Sequence, residues 1–440
     1  MRQPLTSTLI LASTLLLCPP VTPQGTATPE PGPPIVLTAA RIFTGVDGSI
    51  EENGGVVVRG GEIVAAGSGI TVPEGATVID LGDATLLPGF MDAHVHLTGE
   101  MSDNWYQDFH DNFFRFPTEQ AHYAARWARR TLEAGFTTVR NVGAGDYLDI
   151  GLRNAIDAGV IPGPRVLTAV HGIGSTGGHC DQEPYPPDRI APATTLEGTC
   201  DGAESCREAV RQQMKFGADV IKICASGGVL SLADPVDVPQ LTAAELEAIM
   251  SEAHAWGRKV AAHAHGDEAA RLAVEAGVDS IEHGTFLSDK TLELMKQKGT
   301  WLVPTRMAVE EVGAAADNYP PAVAEKARAA AAGHSEMFER ALAAGVPIAF
   351  GTDSGVSPHG RNAEEFRLMV ELGMEPARAL LSATRDAARL LGIESETGTL
   401  EPGKAADVVA VPGNPLEDIT ATERVLFVMR SGEVVRAPGS

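Results

Sequence analysis

The run Phe90-Met-Asp-Ala-His-Val-His96 is a short apolar segment that ends in two histidines one residue apart. Side chains alternate across a β-strand, so His94 and His96 face the same side of it, at its C-terminal end. Seven more short apolar runs follow, at residues 137–142, 165–170, 219–224, 259–263, 280–283, 301–304 and 347–351. Amphipathic helical segments fill the intervals, for example at 119–134, 242–256, 268–276 and 322–344. Regular alternation of strand and helix is the pattern of a parallel α/β architecture. Eight such units close into a (β/α)8 TIM barrel, in which the groups that do chemistry sit where the strands end. The expected barrel occupies residues 85–395.

Outward from the barrel, residues 35–84 and 396–440 carry short β-runs broken by glycine, among them Gly55-Val-Val-Val-Arg59, Thr77-Val-Ile-Asp80 and Asp407-Val-Val-Ala-Val411. These two ends are expected to build one small β-sandwich. Ahead of them Arg2 precedes an apolar stretch from Leu9 to Cys18 and then Pro- and Thr-rich sequence. That reads as a signal peptide over residues 1–24 and a linker over 25–34. The stretch is shorter than the about 20 residues a membrane-spanning helix needs, and no later run approaches that length. Export to the periplasm or the medium is the expected fate. A lipid anchor on Cys18 is disfavoured by Leu17, which stands where such a cleavage site takes a small residue.

Cys180, Cys200, Cys206 and Cys224 lie beyond the signal segment, an even number for a compartment where disulfides persist. Cys200 and Cys206, both in the polar segment before a helix, are the expected pair, although four cysteines permit three full pairings. None are spaced C-x2–4-C, which argues against a cysteine-bound zinc. The formal net charge of −24, without clustered Lys and Arg, excludes a nucleic-acid partner and is read as solubility. A chain of 440 residues can bury a core without metal support, so any metal here serves chemistry.

Asp219-Val-Ile-Lys-Ile-Cys224 places Lys222 in an otherwise apolar strand, where an unpaired ammonium is costly. It needs a carboxylate partner or a modification, such as addition of carbon dioxide to give a carbamate. The next two strands end in Ala261-Ala-His-Ala-His265 and Ile281-Glu-His283, and the last is followed by Gly351-Thr-Asp353. Singly, each has an ordinary explanation: a core histidine, a snorkelling lysine, a turn-stabilising aspartate. Together they put His, His, Lys, His, His and Asp at the ends of strands one, four, five, six and eight. Imidazoles and carboxylates suit zinc and similar divalent ions.

On these residues the chain resembles the amidohydrolase superfamily in its binuclear, carbamylated-lysine subtype. The stretches Thr176-Gly-Gly-His-Cys180, Val220-Ile-Lys-Ile-Cys224, Ala262-His-Ala-His-Gly266 and Ile281-Glu-His-Gly-Thr285 are similar to the branch of Xaa-Pro and Xaa-Lys/Arg dipeptidases and ochratoxin-hydrolysing enzymes. The resemblance implies two divalent metal ions, zinc in the first instance. His94 and His96 would hold one, His263 and His283 the other, with carbamylated Lys222 bridging them. Asp353 would bind the first metal and move protons. Paired metals lower the pKa of a bridging water and polarise a scissile carbonyl.

His179 and His265, beside the ligands, are the expected substrate contacts, His265 being equally readable as a partner that orients them. Some relatives carry a tyrosine near Leu241 that contacts the substrate carboxylate; this chain does not. The expected activity is hydrolysis of the amide bond of a dipeptide or N-acyl amino acid, ochratoxin-type amides included. Alternatives are an imidazolonepropionase-like cyclic-amide hydrolase or deaminase, a lactonase or phosphotriesterase-like hydrolase, and a non-catalytic binding barrel. No motif fixes the oligomeric state, and a homo-oligomer is compatible with the sequence. The long segment 181–204 is expected to act as a lid or pocket wall.

Overall fold

Valine-rich runs broken by glycine turns form the first strands of the computed structural model, which describes residues 32–439 except Ala233. The expected signal peptide, Cys18 and most of the linker lie outside the described residues. The strands are β1 (Ile35–Ile42), β2 (Glu51–Arg59), β3 (Glu62–Ser68), β4 (Thr77–Asp80) and β5 (Ala84–Pro88). The barrel strands are β6 (Phe90–Val95), β7 (Phe136–Asn141), β8 (Arg165–Thr168), β9 (Val220–Cys224), β10 (Lys259–Ala264), β11 (Ser280–His283) and β12 (Trp301–Val303). The chain ends in β13 (Val408–Pro412), β14 (Phe427–Arg430) and β15 (Glu433–Arg436).

Helices α1 (Trp105–Phe114) and α2 (Pro117–Glu133) follow β6, and α3 (Leu148–Asp157) follows β7. Next come α4 (Ala203–Lys215), α5 (Ala243–Ala255), α6 (Asp267–Ala276), α7 (Asp289–Lys298), α8 (Arg306–Ala314) and α9 (Pro321–Ala344). The last are α10 (Glu364–Glu371), α11 (Pro376–Ser382) and α12 (Arg385–Leu391). Helix starts follow local chemistry: Thr242 and Glu245 make a reciprocal capping box on α5, and Pro321 opens α9.

Both ends of the chain share one eight-stranded sheet, ordered β15-β14-β13-β5-β1-β2-β3, with β4 also paired to β1. This sheet encloses its own apolar cluster, including Leu37, Val56, Ile63, Val408 and Phe427. Its Leu87, Val409 and Val428 belong to the main core shared with the barrel.

The barrel strands form two parallel groups, β6-β7-β8 and β12-β11-β10-β9. The expected eighth strand is not a ladder. Residues 347–354 instead bridge the gap with single backbone bonds: Leu302 N–H to Pro347 O, Ala93 N–H to Phe350 O and Asp353 N–H to His94 O. The other gap is joined by Ile173 N–H to Lys222 O and Cys224 N–H to Ile173 O. Packing holds what the missing ladder does not, because Phe350 lies 4.4 Å from Phe366 and 5.5 Å from Phe136, ring centre to ring centre. No described helix is long and apolar enough to cross a membrane.

Candidate active site

Where the strands end, the backbone is bent into shapes that side chains disfavour. Val170, His283, Thr305 and Asp353 all have positive φ, between 51° and 69°. Such residues cost on the order of 1–3 kcal/mol each and persist where the surroundings over-determine them. Two of them, His283 and Asp353, are residues singled out from sequence.

One cavity of about 340 Å3 is lined by His94, His96, His179, Lys222, His263, His265, His283 and Asp353. All eight side chains expected to hold metal or touch substrate therefore meet in one place. The imidazoles are close-packed, with ring centres 5.0 Å apart for His94 and His283, 4.6 Å for His263 and His283, and 4.2 Å for His179 and His263. Another part of the wall is aliphatic: Val229, Leu230, Val309, Val312, Ala330 and Val356, all but Val309 packed in one cluster. No residue of 181–204 lines the cavity, so the expected wall from that segment is supplied instead by the loop after β9 and by α8 and α9.

Outer partners fix which nitrogen of each ring carries hydrogen. His94 Nδ1 lies 2.8 Å from the Glu282 carboxylate, and His96 Nδ1 lies 3.2 Å from Gly143 O; both partners can only accept. His283 Nδ1 lies 2.7 Å from Thr305 Oγ1, whose own hydrogen goes to Pro304 O, so the threonine oxygen accepts there too. His263 Nε2 donates to Gly227 O at 3.1 Å. The remaining nitrogen of each ring is then a bare lone pair.

The consequence is sharpest at Asp353. Its Oδ1 lies 3.4 Å from His94 Nε2 and 3.3 Å from His96 Nε2, and it has no hydrogen-bond partner. Three acceptors converge with no hydrogen between them, an arrangement that a cation would relieve. Ligand atoms of His94, His283 and Asp353 lie within 4.8 Å of one another, as do those of His263, His265 and His283. The second group includes His265, which the sequence pattern sets among the substrate contacts. Lys222 Nζ is buried without a partner.

Electrostatics keep these imidazoles neutral. Burial pulls His96 and His179 down to about 4 and His265 to about 3, and holds His263 and His283 well below the usual imidazole value. These rings are neutral at pH 7, as metal binding requires. Burial also brings Lys222 down to about 8, opposed by Glu282 and Asp353. Its free amine is accessible near neutrality.

Sequence reading passed over the residues behind the cavity histidines. Glu282 is wholly buried; its Oε1 accepts from Arg140 at 2.8 Å and from Ser280 at 2.5 Å, while Oε2 meets His94. Burial opposes its charge, yet Arg140 and His94 hold it at about 2. Asp92 ties the first and last strands together, accepting from Thr352 Oγ1 at 2.6 Å and Asn362 Nδ2 at 2.8 Å. The signal was present in the same form as for Lys222: Arg140 and Glu282 are charges inside short apolar strands, where each needs a partner.

Comparison with known proteins identifies the family. The family model for the amidohydrolase family matches residues 85–435. The ochratoxinase of Aspergillus niger is 35% identical over 374 residues, covering 80% of this chain and 76% of that protein. A crystal structure of a Xaa-Pro dipeptidase with methionine in its active site aligns with a TM-score of 0.88 at 40% identity, covering 91% of this chain and 99% of that one. A prolidase complexed with N-methylphosphonate-L-proline aligns at 0.84 and 30% identity, covering 92% and 100%. The family is generally metal-dependent, in keeping with the His and Asp clusters of the cavity. The chain belongs to the amidohydrolase family and is a hydrolase acting on amide bonds.

Proposed function

We propose that the cavity is a binuclear metal site that hydrolyses the amide bond of a dipeptide or N-acyl amino acid, preferring a bulky apolar side chain. The observation that carries this reading is the division of one cavity into a face of imidazoles, Lys222 and Asp353 and a face of aliphatic side chains. Ochratoxinase and Xaa-Pro dipeptidase relatives support the substrate class. His94, His96 and Asp353 would hold one divalent ion, with zinc the first choice for such donors, and His263 and His283 the other. Lys222, with a free amine near neutrality, would take up carbon dioxide and bridge them as a carbamate.

Two such ions, when bound, would lower the pKa of water at the site and polarise the scissile carbonyl. The protein's own residues do the rest. Asp353 accepts the proton of the attacking water and returns it to the departing amine nitrogen. The aliphatic wall binds the apolar side chain and keeps bulk water away from the reacting carbonyl. His179 and His265, which both line the cavity, would meet the substrate's carboxylate or carbonyl, His265 Nδ1 lying 2.7 Å from Thr285 Oγ1. Export through the N-terminal segment fits the two disulfides of the structure.

The experiment is a panel of dipeptides and N-acyl amino acids given to metal-loaded protein, with release of free amino acid measured. Turnover concentrated in substrates with apolar side chains is expected. Silence across the panel, with ammonia released from cyclic amides instead, would replace this reading with the imidazolonepropionase-like one, an activity named for a relative 28% identical to this chain.

A further inference from the structure

The structure pairs Cys200 with Cys206, as expected, and also Cys180 with Cys224. The second bridge is the unusual one, because both of its cysteines line the cavity that holds the imidazoles. Cys224 closes β9, two residues after Lys222, and so shares its side of the strand. Cys180 follows His179, whose ring centre lies 4.2 Å from that of His263, the planes tilted by 35°. The bridge thus ties the loop carrying His179 to the strand carrying Lys222, across 44 residues of chain.

The surroundings are shaped to this bridge. A side chain at Gly172 would begin 2.6 Å from Cys180 Sγ, and one at Gly174 would begin 2.9 Å from Cys180 Cβ. Likewise, a side chain at Gly228 would fall 2.1 Å from the His179 ring. His179 has lighter tethers as well: its N–H donates to Gln240 Oε1 at 2.8 Å, and its Nδ1 lies 3.1 Å from Ser231 Oγ. Both partners sit on the loop after β9, whose Leu232 N–H also donates to the Glu183 carboxylate at 3.3 Å, so the disulfide is the one covalent tie among hydrogen bonds between these two loops and β9.

Chemistry adds a second consequence. Thiolates bind zinc and cobalt strongly, and a cavity that already gathers six imidazoles and a carboxylate is a poor place for two free ones. As a disulfide the sulfurs are withheld. We infer that the Cys180–Cys224 disulfide is a positioning element of the catalytic cavity, holding His179 against His263 and keeping two sulfurs from competing for the metals. This rests on the reading of the cavity as a metal site.

The test uses the intact chain with Cys200→Ala and Cys206→Ala as background, leaving one disulfide. Metal-free protein is titrated with cobalt(II) before and after treatment with a dithiol reductant, which is removed without air before the metal is added. The reductant is oxidised to its cyclic disulfide while the protein bridge takes two electrons and two protons to become two thiols. A thiolate-to-cobalt charge-transfer band is expected only after reduction. In Cys180→Ala, which frees Cys224, the band appears without reductant, and in Cys180→Ala/Cys224→Ala it is absent under both conditions. On an amide found by the panel, the double variant should lose about 10-fold or more in kcat/KM, with metal content kept, the scale seen when groups behind a metal site are removed. Restoring a bridge by reoxidising the reduced background protein should restore activity.

Spectra unchanged by reduction, or a double variant within about twofold of its background in kcat/KM, would overturn the inference. The cobalt spectrum is read without substrate. It therefore decides the sulfur claim even if the amide panel fails, while a successful panel with no sulfur band overturns that claim alone.

Discussion

Replacing Glu282 with glutamine tests whether the residues behind the site matter to it. The carboxylate offers two oxygens to three donors, His94 Nδ1, Arg140 Nη2 and Ser280 Oγ, at 2.8, 2.8 and 2.5 Å. The amide of Glu282→Gln has one acceptor oxygen, so its NH2 must face His94 or Arg140, donor against donor. Arg140, fully buried, also loses its counter-charge. Removing one member of a buried pair costs about 3–5 kcal/mol. His94 loses the acceptor that fixes its ring and raises its basicity, which should weaken metal binding about 10- to 100-fold.

These two effects separate in a second variant, Glu282→Gln/Arg140→Met, where the orphaned charge is gone but His94 still lacks its carboxylate. Urea unfolding should show most of the lost stability restored, while competition with a chromogenic chelator should show metal affinity still low. If Glu282→Gln unfolds at the parent's denaturant midpoint and holds metal within about twofold of the parent, the reasoning about buried outer partners is wrong.

Asp353→Asn should lower kcat by about 100- to 10,000-fold with a much smaller change in KM, measured on any amide the protein hydrolyses, because proton transfer is lost more than binding. Ala330→Leu narrows the aliphatic wall and should cut kcat/KM for bulky apolar N-acyl substrates about 10-fold more than for small ones; equal effects on both would remove the wall from specificity. Acid should unfold the metal-free protein early. Burial holds His96, His179 and His334 at about 4 and His265 at about 3, against 6.5 for a free imidazole. Below pH 6.5 the unfolded chain binds protons that the fold refuses, so stability falls as pH falls toward 4, each group adding at most about 1.4 kcal/mol per pH unit. Urea midpoints at about pH 7.5 and about pH 5 read this, and a midpoint that rises on acidification would contradict the sign.

Fold and site were legible in the sequence to different depths, for physical reasons. Seven barrel strands are short runs with apolar residues in each and burial along nearly their whole length, the mark that burial on both faces leaves on a parallel strand. The eighth, residues 347–351, reads the same way but makes isolated backbone bonds, since ladder formation depends on the register of neighbours far away in sequence. The cavity residues stood out because histidine, lysine and aspartate at strand ends are hard to explain as core. Arg140 and Glu282 carried an equal signal, but their pairing spans 142 residues and is visible only in three dimensions. The Cys180–Cys224 bridge was one of several pairings that counting leaves open. The wall formed by Val229, Val309, Val312 and Ala330 comes from a loop and two helices whose faces no local pattern aims at the site.

Metal content by mass spectrometry, on purified protein and on Lys222→Ala expressed with bicarbonate, tests the binuclear reading most directly. Three acceptors meeting at Asp353 and an unpartnered buried Lys222 predict about two metals per chain in the parent and a sharp fall in the variant. One metal or none, unchanged by removing Lys222, would contradict it.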